Sequence, residues 1–287
     1  MRDLYQEVTT KILSQLEAGI VPWVRPWKEG NHGNIALPHN AKTRRAYSGI
    51  NIPLLWMGGG AYAANGWLTY KQAQEMGGTV RKGERGTTVV YADRFIPKSE
   101  KDKGDDARFV WFLKAYTVFN VEQCDGIDAA PSAPAPTLPQ MHDAADALIT
   151  ATGARIVVGG DHAFYAPHQD YIAIPPMPAY HDQINWYRTA FHELGHWTGH
   201  KDRLARDFSS RHGDYAYAAE ELVAEMCAAF TCASLGIQPT VRHADYIGNW
   251  IGAMQEDNKI IFKAASAASK AADYLLRHEP VDVKIAA

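Results

Sequence analysis

The stretch Phe191-His192-Glu193-Leu194-Gly195-His196-Trp197-Thr198-Gly199-His200 decides how the rest of the chain is read. It contains the pattern His-Glu-x-x-His. On a helix, residues four apart project from one face, so His192 and His196 can take two corners of a tetrahedral metal site. Glu193, beside the first of them, is placed to hold a water that the metal acidifies, which is the arrangement of a zinc-dependent hydrolase. Such a short pattern also occurs by chance on ordinary amphipathic helices, so its surroundings matter. The preceding residues, 181–190, contain no Pro or Gly, which lets the motif sit within a helix. Gly199 offers a stop just after the second histidine.

A third donor is expected downstream. Tyr217-Ala218-Ala219-Glu220-Glu221-Leu222-Val223-Ala224-Glu225-Met226 reads as a helix that repeats acidic residues in an otherwise apolar setting. Burying Glu221 and Glu225 is costly unless something positive compensates, and a metal does so. Glu221 is therefore expected as the third ligand and Glu225, one turn on, as the acceptor that orients a ligand histidine. The rivals of Glu221 are Glu220, His200 one turn after His196, and Asp202, where a longer His-Glu-x-x-His-x-x-Gly-x-x-His pattern puts its last ligand. In this reading His192, His196 and Glu221 hold Zn2+, with Mn2+ as the alternative divalent ion. Glu193 is the catalytic base that takes a proton from the water attacking a peptide carbonyl, and Tyr171, Tyr215, Tyr217 or His243 supplies a donor to the developing oxyanion.

The 287 residues are enough for two domains with real cores. A hydrophobic content of 46% and a charged content of 21% describe a soluble globular protein. Residues 1–7 are polar and no basic start leads into an apolar run, so no secretory signal is expected; no stretch is apolar for long enough to span a membrane. Cys124, Cys227 and Cys232 form no metal-type pair, and an odd count argues against a disulfide framework. A reducing cytoplasm is the expected location. Net charge is only −3, but it divides unevenly. Residues 1–95 carry 12 Lys+Arg against 7 Asp+Glu, whereas residues 129–287 carry 12 against 18. A polyanion partner is thus expected at the front of the chain.

Taken in order, residues 3–18 carry Leu4, Val8, Ile12, Leu13 and Leu16 at helical spacing, with Gly19 as a stop. Trp23 and Trp27 then alternate with cations on a proline-broken segment. Buried anchors are the commoner explanation of such tryptophans, but Trp and Arg on an extended loop also suit base stacking. Residues 67–78 read as a helix capped by Thr69, residues 79–91 as a strand, a basic turn and a second strand, residues 99–107 as an exposed hairpin tip, and residues 109–121 as a long apolar strand. Gly58-Gly59-Gly60 lacks the spacing of a phosphate loop. For phosphate contacts the candidates are Arg44, Arg45, Lys71, Arg81, Lys82 and Arg85, and for stacking Trp23, Trp27, Tyr47 and Trp67. Residues 129–140 hold four prolines and read as a semi-rigid linker. The expected architecture is α+β in two domains: a mixed α+β DNA-binding domain over 1–128, the linker over 129–140, and a metallopeptidase domain over 141–287. In the second, residues 142–152 read as a helix, 154–158 as a strand, 164–174 as a strand pair whose second member is a sheet edge above the metal helix, and 241–277 as helices that close the core.

Two sets of residues resemble the ArdC-type antirestriction proteins of conjugative plasmids. At the front they are Pro22-Trp23, residues 45–51, 67–73, 78–84 and 117–123; at the back they are residues 192–200, Arg203-Leu204 and residues 217–225. Together they cover nearly all of the chain outside the linker. The resemblance implies a single-stranded DNA-binding front domain, also found ahead of certain plasmid primases, and a zincin-like metallopeptidase back domain. It implies protection of incoming plasmid DNA from host restriction, and Glu221 as third ligand. The partners it implies are single-stranded DNA and an unidentified protein substrate, with the host restriction machinery as one candidate. The alternative is a non-proteolytic single-strand binder whose metal site is structural.

Overall fold

The computed structural model describes residues 3–24, 36–60, 62–96, 110–127, 136–207, 215–240 and 246–278. The chain opens with α1 (Leu4–Glu17), capped by Asp3, whose side chain accepts from the Gln6 amide. Its Val8, Ile12 and Leu16 recur at four-residue spacing and are buried, so one stripe faces the core. Gly19 ends the segment at φ +76°, a backbone state that glycine enters without steric cost. After β1 (His39–Asn40) comes α2 (Asn51–Gly58), whose Ile52, Leu54, Leu55 and Trp56 are all buried.

The front sheet has the order β1-β2-β5-β4, with β2 at Gly66–Thr69, β4 at Thr87–Phe95 and β5 at Val110–Asn120. Between β2 and β4 runs α3 (Tyr70–Glu75), begun by a capping box in which Thr69 and Gln72 satisfy each other's backbone amides. Asn51 closes the outer edge of β4: its side-chain amide donates to Val90 O (2.8 Å) and accepts from Val90 N (2.8 Å). The expected strand, turn and strand over 79–91 are present as β3 (Thr79–Val80) and the start of β4, but the two do not pair with each other: β3 pairs antiparallel with β6 (Cys124–Asp125) in a separate two-stranded sheet. Gly78 permits this pairing, because a Cβ there would meet Ile127 and Asp125 O at 2.3–2.8 Å. The expected hairpin tip at 99–107 lies outside the described residues.

Beyond the proline-rich segment, α4 (Leu138–Thr152) starts earlier than the expected 142 and takes in the end of the expected linker. Thr137 and Gln140 form a capping box and Pro139 occupies the first turn, where a missing amide hydrogen does no harm. A three-stranded sheet follows in the order β7-β9-β8: β7 is Ile156–Val158, β8 Phe164–Ala166 and β9 Tyr171–Ile174. The expectation that the strand at 170–174 forms the edge is corrected. β9 is central, parallel to β7 and antiparallel to β8, which explains why Ile172 and Ile174 are fully buried. Four helices follow among the described residues: α5 (Ile184–Trp197), α6 (Tyr215–Ser234), α7 (Ile247–Glu256) and α8 (Ile260–Leu276). No helix among the described residues is long and apolar enough to cross a membrane.

One continuous core crosses the proline-rich segment. Residues of α1 and α2, together with Trp23, share a buried cluster with α4–α8. Trp23 packs edge-on against Trp250 (5.3 Å between ring centroids) and Trp56 against Phe230 (5.8 Å). Polar ties accompany them: Thr9 Oγ1 donates to Asn258 O (2.7 Å) and the Gly49 amide to Ser269 Oγ (2.7 Å). Each half therefore leaves part of the other's apolar surface exposed if it is removed.

Candidate metal centre

The centre is built where α5 crosses α6. Apolar residues Tyr187, Ala190, Phe191 and Leu194 bury α5, and this turns His192 and His196, one helical turn apart, toward α6. The crossing is close because position 195 is glycine: a Cβ there would stand 3.0 Å from Ala224 Cα. Glu221, one turn before Ala224, thereby reaches both imidazoles. His192 Nε2 and His196 Nε2 are 3.2 Å apart, and Glu221 oxygens lie 3.5 Å and 3.6 Å from them. Donors bound about 2.0–2.1 Å from one ion at tetrahedral angles are about 3.4 Å apart. With one Glu221 oxygen facing each imidazole, these separations are close to those that a divalent ion requires, and among the described residues this triangle is the one group of three such donors within 4.8 Å of one another. Two imidazole nitrogens at 3.2 Å, both facing a buried carboxylate, need a cation or protons between them.

Each histidine is held from behind by a second carboxylate. His192 Nδ1 contacts Glu225 Oε2 at 3.0 Å and His196 Nδ1 contacts Glu220 Oε1 at 3.1 Å. An Nδ1–H donated to these oxygens leaves the Nε2 lone pairs aimed at the centre. Glu220, on sequence a rival ligand to Glu221, stands against Nδ1 and so has the same relation to His196 that Glu225 has to His192. His200 and Asp202 contact each other at 3.4 Å and stand outside the triangle.

Two arginines, Arg206, which no motif singles out, and Arg203, which enters the sequence analysis only through the resemblance, fix the surroundings. Arg206 donates to both Glu220 oxygens (2.8 Å and 2.9 Å), to Gly195 O (2.6 Å) and to Thr198 Oγ1 (2.9 Å), so it ties Glu220 to the end of α5. Arg203 donates to Trp197 O, Asp170 and the Tyr165 hydroxyl, and its guanidinium lies 3.9 Å from the centre of the Trp197 ring. This joins the β8–β9 hairpin to the helix that carries both histidines. A signal was present in the basic residues seven and ten positions after His196, but loop charges alone do not reveal their targets.

Burial lowers the basicity of both imidazoles, yet the carboxylates more than offset it. Glu221 and Glu225 raise His192 to about 9, and Glu220 and Glu221 raise His196 to about 10. Burial also pushes Glu220 and Glu221 upward, but the histidines, helped at Glu220 by Arg206, hold both below the ordinary carboxylate range.

A cavity of about 330 Å³ lies over the triangle. Its walls come from Ala163, Phe164, Tyr165 and Pro167 around β8, from His192, Glu193 and His196, from Tyr217, Glu220 and Glu221, and from Tyr246. Glu193 is 4% exposed and shares this cavity with the three donors. The Tyr217 hydroxyl contacts Glu221 and lies 3.4 Å from that of Tyr246; burial first, then these neighbours, disfavours its ionisation. Of the other expected oxyanion donors, Tyr171 packs on Phe164 and under Arg155 and is not among the residues that line the cavity, and the Tyr215 side chain and His243 lie outside the described residues.

The expected DNA contacts are scattered over the front half. Arg44, at φ +62°, and Arg45 are exposed in the turn after β1; Lys71, Lys82 and Arg85 are exposed as well. Lys71 lies 3.7 Å from Glu75, and Arg81 is engaged by Glu84 (2.8 Å) and Glu122 O (2.6 Å). Tyr47 is half-buried against Leu55, Trp67, Val89 and Val118. Two stacking candidates need correction. Trp23 is 0% and Trp67 2% exposed, because the shared core closes over the first and the cluster of Leu55, Val89 and Val118 over the second, each ring burying a large apolar area. Trp27 lies outside the described residues.

Residues 143–267 match the family model of a zincin-like metallopeptidase, and residues 2–119 match that of the N-terminal domain of anti-restriction factor ArdC. Fold and donor set together define a protein with a zincin-like metallopeptidase domain behind an ArdC-type front. The ArdC antirestriction protein of plasmid R388, solved metal-free, shares 38% identity with a TM-score of 0.81 over 97% of this chain and 98% of that one. Its Mn(II)-bound structure gives 39% identity and a TM-score of 0.79 over 98% and 99%. The chain belongs to the ArdC antirestriction family. An uncharacterised protein of Sinorhizobium fredii, y4eC, is 37% identical over 95% of this chain and 91% of its own length. Two Escherichia coli DNA primases TraC are 38% and 37% identical over 99% of this chain, which spans only 20% and 28% of their lengths.

Proposed function

We propose that this chain is an antirestriction protein that cleaves a protein substrate at a zinc centre and binds single-stranded DNA through its front half, acting in the cytoplasm on incoming DNA. The observation that carries the peptidase reading is the triangle of His192, His196 and Glu221 with Glu193 in the same cavity. Two imidazoles and a carboxylate suit Zn2+, and the Mn(II)-bound relative makes Mn2+ the alternative. An ion held there supplies Lewis acidity and lowers the pKa of a neighbouring water. Glu193 accepts the proton of the attacking water and returns it to the leaving amine. Tyr217 is the proposed donor to the carbonyl oxygen as charge develops on it. Glu225 and Glu220 keep both histidines in the tautomer and orientation that this requires.

The DNA reading is supported by the positive front of the chain and by relatives named as DNA primases that share this whole region. Glu193→Gln tests the peptidase. The variant is expected to retain about one metal per chain while hydrolysis of fluorescent casein disappears. Equal rates in both proteins remove Glu193 from the chemistry. A metal-loaded wild type that is inert on casein and on unfolded peptide pools, yet retains single-stranded DNA, favours a non-proteolytic DNA binder with a structural metal. DNA binding is measured on the intact chain, because the halves share a core.

A further inference from the structure

The front sheet has one face that, among the described residues, is covered over only part of its length. Directly opposed residues of an antiparallel pair point the same way, so Thr87, Val89 and Tyr91 of β4 share a side with Val118, Tyr116 and Lys114 of β5. Around Val89 and Val118 this side is closed by Leu55 and Trp67, with Tyr47 and Tyr62 packed against them. Farther along the ladder it opens: Tyr91 is 58% and Tyr116 46% exposed. Lys114 stands directly opposite Tyr91 and between Phe112 and Tyr116 along β5, with its ammonium 5.0 Å from the centre of the Phe112 ring. A single exposed aromatic needs no explanation, but three rings grouped about one cation on an extended surface do.

We infer that this face is where single-stranded nucleic acid stacks, with bases on the rings of Tyr91 and Tyr116 and a backbone phosphate at Lys114. The inference rests on the reading of the front half as a single-strand binder, and it replaces the buried Trp23 and Trp67 with rings that a base can reach. The spacing fits. Diagonal neighbours across an antiparallel pair stand about 7–8 Å apart, and a base held between two rings needs about twice the stacking rise of about 3.4 Å. Charge points the same way, since residues 1–128 carry 17 Lys+Arg against 14 Asp+Glu and Lys114 itself lies on this face. Stacking selects for strand state: bases within a duplex keep their faces against one another and offer none to a sheet, whereas a single strand offers each base in turn.

The test titrates the full chain with a fluorescent oligothymidylate about 12 nucleotides long and with a duplex of equal length, at two salt concentrations. Wild-type protein is expected to prefer the single strand. Tyr91→Ala and Tyr116→Ala are each expected to weaken that binding about tenfold, while Tyr91→Phe and Tyr116→Phe retain it. Neither alanine variant should change the slope of log K against log salt, because no phosphate contact is removed; Lys114→Gln should lower that slope by about one. Melting curves and metal content should match wild type throughout, which separates lost stacking from lost folding. If wild type binds the strand and both alanine variants bind as tightly, the inference is wrong and the single-strand reading survives. If wild type binds no single strand, both fall. Duplex bound as tightly as single strand overturns stacking in favour of phosphate contacts alone, and a face that instead docks protein leaves every DNA titration unchanged.

Discussion

Substituting Gly195 by alanine is expected to loosen the metal centre far more than the fold. A Cβ at this position stands 3.0 Å from Ala224 Cα, 3.3 Å from Ala224 O and 3.4 Å from Ala224 Cβ. Carbon atoms pack at about 3.5–4.0 Å, so α6 must retreat by about 0.5 Å. It has little room, since residues 221–233 are buried and Ala264, Ala265, Ala268, Ala271 and Ala272 of α8 pack there too. Overpacking of this kind costs about 1–3 kcal/mol, and alanine returns about 1 kcal/mol of helix propensity. The net loss of at most about 2 kcal/mol lowers Tm by only a few degrees, roughly 2–4 °C per kcal/mol at this size. Glu221 moves with α6, so the 3.5 Å and 3.6 Å edges of the triangle lengthen to about 4 Å. Metal bonds tolerate about 0.2 Å, so metal affinity is expected to fall at least about tenfold. A competition titration against a chromophoric chelator, run beside melts of the metal-free protein, measures both. Gly248 is the control: it is exposed on α7 with nothing within 4 Å of an added Cβ, so Gly248→Ala should gain up to about 1 kcal/mol and leave metal affinity alone. Wild-type affinity in Gly195→Ala refutes the view that this contact sets the position of Glu221.

Glu225→Gln keeps the shape beside His192 Nδ1 but removes the charge, and metal affinity is expected to drop about 10–100-fold; a loss below threefold by the same titration counts against an orienting role. Metal binding should depend on pH with a definite sign. In the metal-free chain the pairs of His192, at about 9, and His196, at about 10, with their carboxylates contribute stability fully below the ordinary imidazole value of 6.5 and lose it as pH rises through 9–10. The ion needs both Nε2 atoms unprotonated, so apparent affinity should instead rise from pH 6 to 9, releasing up to about two protons per ion. Calorimetry in buffers of different ionisation enthalpy counts those protons, and none released means that the histidines do not hold the metal. Trp23→Ala removes a ring at 0% exposure from the junction with Trp250, so about 3–5 kcal/mol of stability should be lost. Limited proteolysis should then cut the chain between its two halves sooner; unchanged digestion and melting mean that the halves are held together elsewhere.

The sequence by itself determined those features that depend on local spacing. Four-residue spacing put His192 and His196 on one helical face, and the acidic repeat from Glu220 to Glu225 marked α6 as the helix that meets them, because period and burial cost are both readable from a string. Helix starts at Thr69 and stops at Gly19 were legible for the same reason: caps are chemistry within a few residues of one another. Tertiary structure alone decided what depends on partners distant in the chain. Glu220 and Glu221 are neighbours in sequence, yet only the crossing of α5 and α6 turns one to His196 Nδ1 and the other toward both Nε2 atoms. The pairing of β3 with β6 rather than β4 and the central place of β9 were set by contacts that no local pattern encodes. The same holds for the aromatics. Sequence offers Trp23 to a base and passes over Tyr91, but closing one core across both halves buried the first and left the second exposed on the sheet, because burial is a property of the assembled surface and not of the side chain.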